Sequence, residues 1–234
     1  MAMRYGRSLY QTNQVYTVHQ FENRDEWLKG RTDLQGIGGS DASAAIGLNP
    51  WRSNVDLWEI KTGRKQAADL SENELVQYGH DAEPLLRELF RIDHRDEYKV
   101  RHSENTMIVN DKYPFAHASV DGLLIRKSDN ALGILEIKTA TIQSATQNAK
   151  WKDGVPINYL IQCLWYMGVS GATFAIIDAQ LKQTDRSGSE YKITKEYMID
   201  RNDYEKDIGY LMLKGETFWK YVTEDRRPPL LFEI

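Results

Sequence analysis

The run Ile134-Leu135-Glu136-Ile137-Lys138-Thr139, with Ser119-Val120-Asp121-Gly122 upstream of it, holds the residues of this chain best suited to chemistry. Side chains alternate along an extended strand, so Glu136 and Lys138 share one face while Leu135 and Ile137 enter a core behind them. A polar turn at Ser128-Asp129-Asn130 separates the two runs, and antiparallel pairing across it brings Asp121 to the same edge. Two carboxylates and an ammonium therefore converge. Hydrolysis of a phosphodiester needs such a set, because it must neutralise a pentacovalent transition state, generate hydroxide near neutral pH and stabilise a departing alkoxide. Mg2+ contributes to all three. It prefers octahedral oxygen ligands and takes one or two carboxylates, so Asp121, Glu136 and the Ile137 carbonyl suit it. Lys138 beside the ion is placed to hold or deprotonate the attacking water. An isolated Glu-x-Lys in a strand is most often the solvated face of a half-buried sheet. Here an upstream Asp, apolar residues alternating behind the pair and a following helix with polar groups all accompany it.

These residues need a scaffold, and the chain can supply one. Its 234 residues carry 41% hydrophobic and 11% aromatic side chains, enough for one α/β domain over residues 1–234, and no Pro/Gly/Ser-rich linker divides it. A single cysteine, Cys163, rules out an internal disulfide and a cysteine-ligated metal centre. The apolar stretches are too short for a membrane span, and no apolar signal core follows Arg4, so a cytoplasmic location is expected. A net charge of -4 argues against a general basic footprint for nucleic acid. Carboxylates gathered around a cation lower that sum, however, and Lys61, Arg64 and Lys65 form a local basic group.

After an irregular N-terminal segment, Arg24 to Arg31 reads as a helix capped by Asn23. Gly36 to Gly39 breaks the chain, Ser40 is the expected N-cap of a small-residue helix through Ala45, and another helix spans Asn54 to Thr62. Arg64 to Asn73 reads as a surface loop. Helical spacing from Glu74 to Ile92 puts Leu85, Leu86, Leu89 and Phe90 on one stripe, with Pro84 starting or kinking a helix. Strands are expected over Met107 to Val109, Ala118 to Ile125, Gly133 to Thr139, Thr173 to Leu181 and Tyr191 to Ile199. Helices follow at Ile157 to Val169 and Asn202 to Thr223, the last with a stripe of Tyr204, Ile208, Leu211, Phe218 and Val222.

Seven blocks carry a resemblance: Trp27 to Arg31, Gly38 to Asp41, Asn49-Pro50-Trp51, Gly79 to Glu83, Ser119 to Gly122, Glu136 to Lys138 and Tyr159 to Gln162. In content and order the chain resembles the phage lambda exonuclease and YqaJ-like viral recombinase family, within the PD-(D/E)xK superfamily. The resemblance implies a mixed central sheet flanked by helices. It implies a Mg2+-dependent enzyme, with two ions and with Mn2+ able to substitute. Such enzymes degrade one strand of linear duplex DNA from its 5′ end and leave a 3′ overhang for a single-strand annealing protein. They form ring-shaped trimers, and a phage or prophage origin would follow.

Carried over by position, the resemblance makes Asp121 and Glu136 metal ligands, Lys138 the residue acting on water and Glu83 a further acidic ligand. Beside Pro84, Glu83 reads equally as a solvated carboxylate in a helix's first turn. Gln162 resembles a glutamine that orients water or phosphate, and it shares a helix face with Tyr159 and Tyr166. Arg31, Ser40 and Ser119 resemble residues that grip a terminal 5′ phosphate, although capping alone explains Ser40. Ser119 is expected on one strand face with Asp121 and His117, and His117 is expected to pack rather than ligate. Trp51 matches a family aromatic, with core burial the plain alternative. Val120 stands where the lambda enzyme has proline. A restriction- or nicking-type endonuclease shares this core and would cut circles, which an end-directed enzyme leaves alone; an inactive DNA-binding domain would lack the full Asp121, Glu136 and Lys138 set.

Overall fold

The computed structural model describes residues 16–33, 36–152, 154–185 and 187–231, and most of the irregular N-terminal segment lies outside them. In chain order the elements are β1 (Tyr16–Gln20), α1 (Arg24–Asp33), α2 (Gly39–Ala45), α3 (Asn54–Lys61), α4 (Glu74–Asp93), β2 (Tyr98–Arg101), β3 (Thr106–Asn110), β4 (His117–Ala118) and β5 (Gly122–Arg126). They continue with β6 (Leu132–Thr141), α5 (Ala145–Lys150), α6 (Ile157–Ser170), β7 (Phe174–Thr184), β8 (Glu190–Asp200) and α7 (Arg201–Thr223). Among the described residues no helix is long and apolar enough to cross a membrane.

Five strands form a mixed sheet in the order β2-β5-β6-β7-β8. Only β6 and β7 run parallel, and α5 and α6 make the crossover that a parallel pair requires. Alternation along β6 and β7 gives the sheet two apolar faces. Ile134, Ala175, Ile177, Ala179 and Leu181 face a large core shared with α2, α3, α6 and α7, whereas Leu135, Ile137, Phe174 and Ile176 face α4 through Ala82, Leu86 and Phe90. A second sheet, β1-β3-β4, lies apart from the first. The expected mixed α/β fold is the one observed.

Several details depart from the sequence reading. The single strand expected from Ala118 to Ile125 is two, because Ala118 pairs with Ile108 in the small sheet and Gly122 pairs with Leu135 in the large one. Residues 119–121 cross between sheets, so alternation cannot be carried from Ser119 to Asp121. Ser40 is not an N-cap: α2 begins one residue earlier, Gly38 holds the cap position, and the Ser40 side chain is exposed in the first turn. Helix α4 runs through Pro84 rather than starting there, which leaves the His80 carbonyl without its usual donor. Its buried stripe is Ala82, Leu86 and Phe90, while Leu85 and Leu89 are exposed. Trp51 is 74% exposed, which removes core burial as its explanation. Elsewhere the expected helices and strands are present, with Asn23 accepting from Glu26 N–H at 2.9 Å and Ile208, Leu211 and Phe218 buried along α7. Strands β1 and β2 and helix α5 were not anticipated.

Candidate active site

The ladder between β5 and β6 starts at Gly122 and Leu135, so one residue earlier the chain has left the sheet and β6 has a free edge. Asp121 occupies that edge. Its Oδ2 accepts the Ile137 N–H at 2.7 Å, in the place a strand neighbour would take. A strand residue projects its N–H and C=O to the same edge, so the Ile137 carbonyl opens towards Asp121 as well. Glu136 alternates onto the α6 face and is only 2% exposed. Its Oε1 accepts from Gln162 Nε2 at 2.6 Å and from Lys138 Nζ, whereas its buried Oε2 has no partner. Gln162 Nε2 also donates to the Tyr166 hydroxyl at 2.9 Å, and Lys138 Nζ lies 5.1 Å from the centre of the Tyr159 ring. The expected helix face of Tyr159, Gln162 and Tyr166 thus covers the carboxylates.

Glu83 approaches from α4. Arg87, one helical turn on, donates from Nη1 to Glu83 Oε1 at 2.8 Å and to the Asp121 carbonyl at 3.0 Å, locking α4 to the start of β5. The sequence reading missed Arg87. An Arg four residues after a candidate acid is the only local signal, and its second partner lies 34 positions away.

Burial raises the Asp121 carboxyl well above its ordinary range, and the charge on Glu136 raises it further. Burial also raises Glu136, with Lys138 opposing. For Lys138, burial alone would favour the neutral amine, but Glu136 and Asp121 outweigh it and hold the ammonium above the usual lysine range. Glu83 adds to the negative field at both carboxylates. With Asp121 and Glu136 both ionised the site would carry more negative charge than Lys138 answers, which adds to burial in raising their carboxyls, and it contains one desolvated oxygen that accepts nothing. Such an oxygen calls for a ligand. A hard cation fits this donor set of Asp121, Glu136 and the Ile137 carbonyl. Among the described residues no three His, Cys, Asp or Glu side chains stand together as a ready ligand set, and Glu83 is turned to Arg87.

Of the expected phosphate residues, Arg31 and Ser40 lie around the start of α2. Arg31 sits with its guanidinium 4.7 Å from the centre of the Trp27 ring, and its Nη2 would be 3.7 Å from a Cβ on Gly38. A Cβ there would also lie 2.9 Å from His117 Cε1, so Arg31, Gly38 and His117 meet. His117 is buried with its Nε2 unpartnered; burial first, then Lys61 and Arg31, push its pKa to about 3, so it is neutral. Ser40 lies at the same helix start. Ser119 donates instead to the Thr106 carbonyl at 3.3 Å. The anticipated basic group is internally paired: Lys61 with Asp41 at 2.7 Å, Arg64 with Asp225 at 2.7 Å and Lys65 with Asp56 at 2.5 Å.

Comparison with known proteins places these residues among relatives. The model of the YqaJ-like viral recombinase domain matches residues 26–173, a span that includes Asp121, Glu136, Lys138 and Gln162. YqaJ of Bacillus subtilis strain 168 is 35% identical over 153 residues, which is 65% of this chain and 44% of YqaJ, so the match spans less than half of that relative. Among solved structures, the alkaline exonuclease LHK-Exo from Laribacter hongkongensis superposes with a TM-score of 0.59 at 18% identity, over 86% of this chain and 94% of its own. The same enzyme in complex with dAMP gives 0.58 over the same shares of each chain. That likeness is one of fold.

Proposed function

The chain belongs to the YqaJ-like viral recombinase domain family, and on that premise we propose that it is a Mg2+-dependent DNA exonuclease, digesting one strand of linear duplex from its 5′ end to leave a 3′ overhang. One observation carries the reading: buried Glu136 keeps an unpartnered oxygen while Lys138, Asp121 and Gln162 are held around it. The fold likeness to an alkaline exonuclease supports it.

In this reading Asp121, Glu136 and the Ile137 carbonyl hold the cation, with Glu83 joining once released from Arg87, and two ions bind, Mn2+ substituting for Mg2+. A bound ion there supplies positive charge at the phosphate oxygens, acidifies a water towards neutral pH and stabilises the leaving alkoxide. Lys138, kept protonated by the two carboxylates, donates to the attacking water and orients it. Gln162 fixes the Glu136 carboxylate by donating to one oxygen and leaving the other open. Arg31, with Ser40 at the start of α2, receives the terminal 5′ phosphate, and Ser119 joins by exchanging the Thr106 carbonyl for it. The working assembly is a ring-shaped homotrimer of single nuclease domains, acting in the cytoplasm of a bacterial host with a phage-type single-strand annealing protein.

The test is substitution at the two ends of the site. Asp121→Asn should abolish Mg2+ binding by titration calorimetry together with cleavage, since an amide cannot replace carboxylate charge. Lys138→Ala should lose cleavage and keep its affinity for DNA ends within about threefold, because it acts on the water rather than on binding. Unchanged Mg2+ binding in the first variant, or full cleavage in the second, would sink the assignment.

A further inference from the structure

One face of α6 runs past three features at one-turn spacing. Tyr166 lies against Gly39 at the start of α2, Gln162 holds Glu136, and Asn158 lines a groove of about 360 Å³ together with Asn49, Pro50, Lys150 and Pro156. Four residues of helix rise about 6 Å, so Glu136, held by Gln162, lies one turn of α6 from the Tyr166–Gly39 contact and one turn from this groove.

The groove is built to receive something polar. Asn158 is 8% exposed, faces the groove and makes no side-chain hydrogen bond among the described residues. Pro156 precedes α6 and offers no side-chain cap; its carbonyl takes the Tyr159 and Leu160 N–H groups, which leaves those of Ile157 and Asn158 and the positive end of a 14-residue helix open there. Lys150, on the groove wall, is exposed and has no ion pair among the described residues. Trp51 follows Pro50 of the groove wall and is the most exposed of the large apolar side chains among the described residues. It is not frayed. Asn49 Oδ1 accepts the N–H of Trp51 at 2.9 Å and of Arg52 at 3.0 Å, while Asn49 Nδ2 donates to Ser43 Oγ at 2.9 Å. A fixed turn therefore presents a bare indole next in the chain to the wall of a groove that opens one turn of α6 from Gln162.

We propose that Trp51 and this groove form a nucleotide subsite on the far side of the reacting centre from Arg31. The indole stacks on a base of the digested strand, and the α6 N-terminus, Lys150 and the Asn158 amide take the phosphate and base edge next to it. The inference rests on the nuclease reading above. A stacked base is worth about 1–3 kcal/mol, which is about 5- to 150-fold in affinity.

The experiment uses a 5′-phosphorylated duplex with 2-aminopurine at successive positions from that end, titrated in EDTA with wild type, Trp51→Ala and Trp51→Phe, alongside metal-dependent cleavage of the same duplex by wild type. Because Trp51 is in water, neither variant should change the melting temperature. The subsite predicts quenching at one near-end position in wild type, its loss with at least about fivefold weaker binding in Trp51→Ala, and recovery of most of both in Trp51→Phe. Equal affinity and emission in wild type and Trp51→Ala would overturn it, and cleavage by wild type would show that the nuclease reading had survived. Trp51-dependent quenching without cleavage would uphold the subsite and sink the nuclease. A wild type that binds no DNA would overturn both.

Discussion

Glu136 is a carboxylate with one oxygen fully engaged and the other kept dry and empty, and that asymmetry depends on Gln162. Removing the amide lets the carboxylate rotate and leaves the Tyr166 hydroxyl without its donor. Gln162→Ala should therefore reduce kcat by about 10- to 100-fold, the usual cost of losing a group that orients a ligand. A rate within twofold of wild type would show that Gln162 only packs. A second buried carboxylate, Asp178, faces the other side of the sheet from Glu136. It lies on the α4 face of β7, and burial, then Glu196, raises its pKa to about 6, with one oxygen unpartnered. Because its folded value exceeds the ordinary 3.8, its stabilising protonated form is present below that value and lost as pH rises through about 6. Asp178→Asn should thus look more stabilising at pH 8 than at pH 4.5, by on the order of 2–3 kcal/mol in urea unfolding; an equal difference at both pH values would contradict this. The Glu136-x-Lys138 pair could be found from sequence because a period of two places it, whereas Gln162 was reached through the family resemblance and its helix face alone would read as a surface amide. Asp178 looked like strand interior, and Arg87 acts on a backbone carbonyl that no side-chain pattern reveals.

Helix α6 does most of the positioning, and its closeness to α2 depends on a missing side chain. A Cβ on Gly39 would stand 2.3 Å from Tyr166 Cε1, so the two helices meet at that glycine. Gly39→Ala should cost about 1–3 kcal/mol by overpacking, and it should also lower cleavage, because Tyr166 is displaced from Gln162. Gly209, inside α7 with open space around it, provides the contrast: Gly209→Ala should stabilise by about 0.5–1 kcal/mol and leave cleavage untouched. Thermal melts and initial rates of both variants decide the point, and a benign Gly39→Ala would mean that α2 and α6 do not hold each other in register. Long periodic elements such as α6, α7, β6 and β7 were readable because many residues repeat one pattern. The short strands were not. β1 pairs residue 16 with residue 110, and the break between β4 and β5 is set by which sheet each half joins rather than by any residue in it.

The chain passes from the small sheet to the large one at residues 119–121, and this crossing delivers Asp121 to the open edge of β6. The molecule has a net charge of -4, and the ion pairs of Lys61, Arg64 and Lys65 neutralise what looked like a basic group, so the proposed function requires DNA to be held by a few groups aimed at it. In the proposed reading Arg31 by the start of α2, the carboxylates beside Gln162 and the Trp51 groove at the start of α6 form one path. That path suits a strand threaded from its 5′ terminus and has no counterpart for a closed circle. The direct check is Mg2+-dependent digestion of a linear duplex labelled at the 5′ or the 3′ end, beside a closed circular duplex. The account predicts early release of 5′-labelled nucleotides, slow loss of the 3′ label and an intact circle; cleavage of the circle, or first release from the 3′ end, would contradict it.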